Sequence, residues 1–437
     1  MVCPGLYSAA MPTAVGAILA LAFALGLVGT LAARALGRRL GALDGPGVPG
    51  QVKPAARRVP NTGGMGIVLG VVGPLGLALL AAHVPAWQGP LERLAPGVGE
   101  HLGGLRGIAG GAAVVLACVL ALHALGVVDD RRPLGAMPKL AVILAASGVI
   151  SAATGTRLLE LLDPLAGGSW ASWALTVLWI AAVTNAMNFI DNMDGLAAGV
   201  GAIAGACLLG AALSGPEPQW FVAAALAALV GACGGFLVFN GPWPRASVFM
   251  GDGGSLVVGL LLGFLTVRST YVLSSAAAID GLVLPGALGP IGSEAGARPG
   301  RAGVAWHGVL VPVVVLAVPL YDMASVCLIR IWQGRSPFVG DMQHLSHRLE
   351  RRGLSKRMAV VVIWGLTAIT GLGGVLLPGA EPARAWVIGA QAFLALAVLA
   401  AFERFATGGP AAAAQAPPGP AQASQPGGGH ARAQTDR

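Results

Sequence analysis

Eleven stretches of this chain are almost wholly apolar, and most are long enough to cross a bilayer as a helix, which takes about 20 residues. They lie near 13–34, 63–83, 107–128, 138–154, 171–189, 194–213, 219–239, 253–268, 306–332, 358–378 and 384–403. Backbone in lipid must satisfy its own hydrogen bonds, so spans of this kind fold as helices. Charged residues make up 11% of the chain, against about 25% in soluble domains. The expectation is an all-α, polytopic membrane bundle of ten to eleven transmembrane helices. The fourth and eighth runs are short, and the fifth and sixth are separated by a few residues. With 67 glycines, GxxxG matches arise by chance and carry no argument. The five cysteines form no CxxC pair and read as structural thiols.

No basic segment precedes the first run, and Arg34, Arg38 and Arg39 end it. This predicts a first span with its N-terminus outside and no cleaved leader. Alternating spans then place loops 35–62, 129–139, 190–193, 240–252 and 333–357 on the cytoplasmic face. Only Arg93, Arg106, Arg157, Arg268, Arg298, Arg301 and Arg384 fall on the other side, leaving 20 of the 27 Lys and Arg inside, as the positive-inside rule requires. Residues 1–405 form one multi-span domain. The Ala-, Pro- and Gly-rich segment 406–437 reads as a disordered cytoplasmic tail. Loop 269–305 could hold a re-entrant turn or nothing ordered. No loop is long enough for a soluble domain, and the net charge of +8, spread over 437 residues, implies no nucleic-acid partner.

The polar residues collect at the same face. GVVDDRRPLGAMPK (126–139) closes the third run, and NAMNFIDNMDGL (185–196) joins the fifth and sixth. NGPWPRASVFMGDGGS (240–255) leads into the eighth, and RIWQGRSPFVGDMQHLSHRL (330–349) follows the ninth. A carboxylate in a span costs roughly 2.5–3.5 kcal/mol at the bilayer centre and less near its ends. Asp194 and Asp252 could serve as helix caps. Asp129 and Asp130 end a helix instead, where negative charge opposes the dipole, and they call for a counter-charge: a divalent cation or Lys139. Asn188, Asp191 and Asp194, three apart, make a drifting stripe if helical. Asp322 is explained by pairing with Arg330, eight residues on.

Carboxylates with few soft ligands suit a hard cation held by oxygen: Mg²⁺, or Mn²⁺ in its place, taking one or two carboxylates plus substrate phosphates. Lys139, Arg330, Arg335, Arg348, Arg351 and Arg352 suit phosphate, and the Gly-rich start of the eighth run can turn backbone N–H groups toward an anion. Together these read as phosphate-ester chemistry between a charged soluble donor and a lipidic partner.

From about Lys53 to Leu354 the chain resembles the polyprenyl-phosphate N-acetylhexosamine-1-phosphate transferases, glycosyl transferase family four. VPNTGGMGI (59–67), GVVDDRRPLGAMPK, NAMNFIDNMDGLAAG, VFMGDGGSLVVG, and PLYDMASVCLIR with SPFVGDMQHLSHRL are similar to the family's motifs and stand in its order. The resemblance implies transfer of a sugar-1-phosphate from a UDP-sugar to polyprenyl phosphate, with release of UMP. It implies that Asp252 and Asn188 hold Mg²⁺ and that Asp129 and Asp130 act near the attacking phosphate. Asp191 and Asp194 would bind nucleotide or assist the metal; Lys139, His344, His347 and Arg348 would bind phosphates or donor. Asn185, Asn192, Gly251, Ser255 and Arg330 complete the candidate substrate-binding set. Whether any aspartate acts as a base stays open, since a lipid phosphate is already largely ionised at neutral pH (second pKa about 6). A bacterial cytoplasmic membrane and a homodimer follow by the same analogy.

Two positions depart from the family's pattern: Asn192 stands where Gly is usual, and Ser346 takes the middle place of a segment that commonly reads HxHHRL. Within the family NFIDN and HLSHRL favour the N-acetylglucosamine branch over the phospho-N-acetylmuramoyl-pentapeptide transferases. An intramembrane aspartyl protease needs GxGD, which FMGD at 249–252 does not supply. A transporter should carry polar groups at mid-bilayer and an internal repeat, and neither is visible.

Overall fold

The computed structural model describes residues 10–44, 57–94, 98–160, 163–214, 218–278, 310–338, 341–377 and 380–405. The start of the family resemblance at Lys53, most of loop 269–305 and the tail 406–437 lie outside the described residues. Among these residues every regular element is a helix. In chain order they begin with α1 Ala10–Arg39, α2 Gly64–His83, α3 Pro85–Leu94, α4 Leu102–Arg131 and α5 Ala136–Thr154. Next come α6 Asp163–Ala166, α7 Trp170–Ile190, α8 Leu196–Ser214, α9 Trp220–Asn240 and α10 Asp252–Ala278. The last five are α11 Leu310–Val315, α12 Ala317–Trp332, α13 Leu345–Arg351, α14 Lys356–Val375 and α15 Pro382–Phe405.

Ten of these helices are long and apolar enough to cross a membrane, and the chain is a multi-pass membrane protein. The ninth expected span, 306–332, is two helices end to end over its described residues, from Leu310. Pro319 causes the break: it has no N–H, and its ring clashes with the carbonyl four residues back. That residue is Val315, where α11 stops.

One helix forms the centre. In α10, 94% of the apolar window Asp252–Thr270 is buried, against 17% in α15; a helix hydrophobic all round belongs inside a bundle. It packs on α7 at very short range. A Cβ on Gly259 would lie 2.6 Å from the Thr184 Cα, and one on Gly263 would lie 3.1 Å from the Ile180 Cα. One turn further on, the same seam ends where Asn188 Nδ2 donates to Ser255 Oγ at 2.9 Å. The small residues that let helices approach closely therefore set the register that brings two motifs together. Exposed tryptophans mark both ends of the bundle, as membrane interfaces favour. Trp243 and Trp332 lie at the end where α10 begins, and Trp87, Trp170 and Trp386 lie at the other.

Candidate active site

The ends of α4, α7, α9 and α12, and the starts of α5, α10 and α14, surround one cavity of about 1850 Å³. Asp129, Asp130, Lys139, Asn185, Asn188, Asp191, Asn192, Asp194, Gly251, Asp252, Arg330, His344 and His347 all line it. Ser255 and Arg348 do not.

Lys139 is the counter-charge that Asp129 needs. Its Nζ lies 2.8 Å from Asp129 Oδ2 and 2.7 Å from Asp252 Oδ2. Asp129 Oδ1 accepts the Leu134 N–H at 2.8 Å, which closes the turn between α4 and α5. Asp130 accepts the backbone N–H of Asp252 at 3.2 Å. The N–H at the start of α10 thus does face an anion, but a protein carboxylate. Gly251 makes this approach: its φ is +69°, and a Cβ there would sit 2.4 Å from Asp130 Oδ2 and 2.7 Å from Asn61 Oδ1. Asn61 hydrogen-bonds Asp130 and also lines the cavity.

Neither aspartate suspected of capping a helix does so. Asp252 turns Oδ2 to Lys139. Asp194 accepts both contacts of Arg57 Nη1 at 2.8 Å and the Ala246 N–H at 3.1 Å. Arg57 Nη2 then donates to the Ala246 carbonyl at 3.1 Å, and the guanidinium lies over Phe249, 5.1 Å from the ring centroid. Asp194 ties loop 240–250 to the segment before α2. The stripe Asn188–Asp191–Asp194 is not helical throughout, because α7 ends at Ile190 and Gly195 turns the chain with φ +76°. Asp191 faces the cavity at that turn. Burial, then the charges of Asp252, Asp130 and Asp194, push its carboxyl well above the usual range.

The expected Asp322–Arg330 pair does not form. Arg330, 2% exposed, donates to the Pro337 carbonyl at 2.7 Å and to Asp341 Oδ1 at 2.9 Å. Its Nε has no partner among the described residues. Asp322 binds His344 instead, at 3.0 Å. Arg348 does not line the cavity: it reaches Glu403 Oε1 at 3.0 Å and Ser325 Oγ at 2.8 Å. Ser255 supports Asn188 from behind. Asn185 donates to Ala181 O within its own helix at 2.8 Å. His347 lies 3.5 Å from Glu350, and burial pulls its imidazole below the usual range. Asn192 accepts the Ser346 hydroxyl.

Sequence reasoning missed Arg57, Asn61 and Glu403, and gave Asp322 the wrong partner. Asn61 stands within VPNTGGMGI. For Arg57 and Glu403 no pattern at fixed spacing exists, because their partners are remote in sequence.

One flank of the wall is apolar: Leu140, Ile143 and Leu144 of α5, Leu178, Ala181 and Ala182 of α7, and Met323 and Ile331 of α12. The cavity therefore joins a charged floor to a greasy flank.

Membrane-spanning helices around a carboxylate- and lysine-lined cavity define an integral-membrane protein with a polar site among its helix ends. The family model "Glycosyl transferase family 4" matches residues 112–270. The decaprenyl-phosphate N-acetylglucosaminephosphotransferase of Mycolicibacterium smegmatis is 33% identical over 353 residues, 78% of this chain and 77% of the relative. The probable undecaprenyl-phosphate N-acetylglucosaminyl 1-phosphate transferase of Bacillus subtilis is 28% identical, over 59% of this chain and 63% of that protein. The undecaprenyl-phosphate alpha-N-acetylglucosaminyl 1-phosphate transferase of Escherichia coli K12 is 27% identical, over 63% of this chain and 68% of that protein. The chain belongs to glycosyl transferase family 4, as a sugar-phosphate transferase.

Proposed function

We propose that this enzyme transfers N-acetylglucosamine-1-phosphate from UDP-N-acetylglucosamine to a polyprenyl phosphate, releasing UMP and starting a lipid-linked envelope glycan. The observation that carries this reading is the cavity's two-sided wall. Four carboxylates and Lys139 meet at its base, while α5, α7 and α12 offer it an apolar flank. Its volume of about 1850 Å³ exceeds the 300–1,000 Å³ of an ordinary ligand pocket, as two substrates bound together require. The names of the relatives favour the N-acetylglucosamine donor over the muramoyl-pentapeptide one. The seven Lys and Arg left for the far side favour a cavity facing the cytoplasm of a bacterial inner membrane. A homodimer remains an analogy with the family.

The donor set fits Mg²⁺. Among the described residues no three His, Cys, Asp or Glu side chains converge to hold a metal alone, and Mg²⁺ needs only one or two carboxylates when phosphates supply the rest. Asp252 and Asn188, both lining the cavity, would hold it; there it would neutralise diphosphate charge. Lys139 holds Asp129 and Asp252 at one place despite their like charge. Asp130 and Asp191 face the same space and orient the lipid phosphate and donor. A lipid phosphate oxygen forms a bond to the donor's β-phosphorus, and the bond from that phosphorus to the oxygen shared with the α-phosphate breaks, leaving UMP. Positioning and charge neutralisation supply most of the catalysis in such transfers.

The test is the purified protein in detergent with UDP-N-acetylglucosamine, undecaprenyl phosphate and Mg²⁺, followed for UMP. UMP release that needs all three supports the reading. No UMP with any UDP-N-acetylhexosamine would overturn it.

A further inference from the structure

Asp322 has no part in the chemistry above, yet it is a fully buried carboxylate, 0% exposed, within α12. Burying a charge without partners is costly, and both of its oxygens are taken. Oδ1 accepts the backbone N–H of Leu345 at 2.5 Å. Leu345 opens α13, so one oxygen caps that helix from a different element. Oδ2 lies 3.0 Å from His344 Nδ1. The second contact is more than a cap requires.

An ionised carboxylate only accepts hydrogen bonds, so the ring nitrogen facing it carries the proton. Nε2 is then the nitrogen left over. His344 lines the cavity, and Nε2 has no hydrogen-bond partner among the described residues. Phe189 packs edge-on against the ring, with centroids 5.6 Å apart and an interplanar angle of 87°. Phe189 follows Asn188 directly, so the same short segment that supplies a proposed metal ligand also braces the imidazole.

We propose that Asp322 is a positioning residue: it fixes the ring and tautomer of His344 so that Nε2 is presented, as an acceptor, to a hydroxyl of the bound nucleotide-sugar. This inference rests on the transferase reading for its ligand. A carboxylate orienting a histidine from the far side is a general device for setting which nitrogen does the work.

Asp322→Asn separates this role from capping. The amide oxygen still accepts the Leu345 N–H, while the amide NH₂ faces Nδ1 and drives the ring proton to Nε2. In ¹⁵N-histidine spectra of the detergent-solubilised protein at alkaline pH, assigned with His344→Gln, the wild type should show Nδ1 protonated, and Asp322→Asn should show Nε2 protonated. Turnover of Asp322→Asn should fall roughly 10- to 100-fold, in the range for loss of a partner orienting a functional histidine. The KM for lipid phosphate and the melting temperature should be unchanged. A wild-type spectrum with Nε2 protonated, or Asp322→Asn with wild-type turnover, would overturn the proposal. The wild-type spectrum decides even if the variant does not fold. Absence of UMP from the wild type would count against the transferase reading while leaving the spectrum to decide the role of Asp322.

Discussion

Asn192 and Ser346, 154 positions apart, hydrogen-bond to each other, the serine hydroxyl donating to the asparagine amide oxygen. Both stand where the motifs the sequence resembles usually carry another residue. The turn after α7 is thereby tied to α13. We predict that Asn192→Ala and Ser346→Ala each destabilise the protein, and that the double variant loses less than the sum, with a coupling of about 0.5–3 kcal/mol as for residues in contact. Unfolding free energies in a double-mutant cycle check this; additive effects would show that the two departures are independent.

Lys139 holds two carboxylates that otherwise repel. Lys139→Met should abolish turnover and destabilise the protein by about 1.5–3 kcal/mol, the range for hydrogen bonds to charged groups. This is below the cost of breaking a fully buried pair, because the three side chains keep 12–26% of their exposure. Thermal melts and UMP release measure both effects.

Asp191 links pH, metal and stability. Its folded carboxyl titrates well above the ordinary range, so between the unfolded value of about 3.9 and the folded one the native state binds more protons than the unfolded state. Stability therefore falls as pH rises through that window. In EDTA the melting temperature should decline from mildly acidic to alkaline pH, and Asp191→Asn should flatten the decline. Mg²⁺ should raise the melting temperature more at alkaline than at acidic pH, by the equivalent of about 2.7 kcal/mol when present at 100 times its Kd. Equal Mg²⁺ effects at both pH values would count against a carboxylate site.

Gly259 sets the distance between α7 and α10. Gly259→Val should push the helices apart, cost about 1–3 kcal/mol as overpacking does, and separate Asn188 from Ser255. A variant with unchanged stability and turnover would show that the seam does not position the site.

The fold was legible because lipid allows so few solutions: the apolar runs predicted eleven passes, and only the run holding Pro319 differed, in being broken. The carboxylates of the cavity were legible as clusters at helix ends on one face. Their partners were not. Lys139 lies ten residues from Asp129 and could be anticipated, whereas Arg57 reaches Asp194 across 137 positions and His344 reaches Asp322 across 22. Spacing along one helix favoured Arg330 for Asp322, but Arg330 is drawn to Asp341 in the loop that follows it. Arg348 illustrates the same limit: its partner Glu403 lies 55 positions away in the last helix, where no spacing points to it.

The central claim is that the sugar moves together with its phosphate. UDP-N-acetylglucosamine labelled with ³²P at the β-phosphorus, incubated with the protein, Mg²⁺ and undecaprenyl phosphate, tests it directly. Label is expected in the lipid fraction in step with release of unlabelled UMP. Label remaining in the aqueous phase as UDP, with sugar alone reaching the lipid, would contradict it.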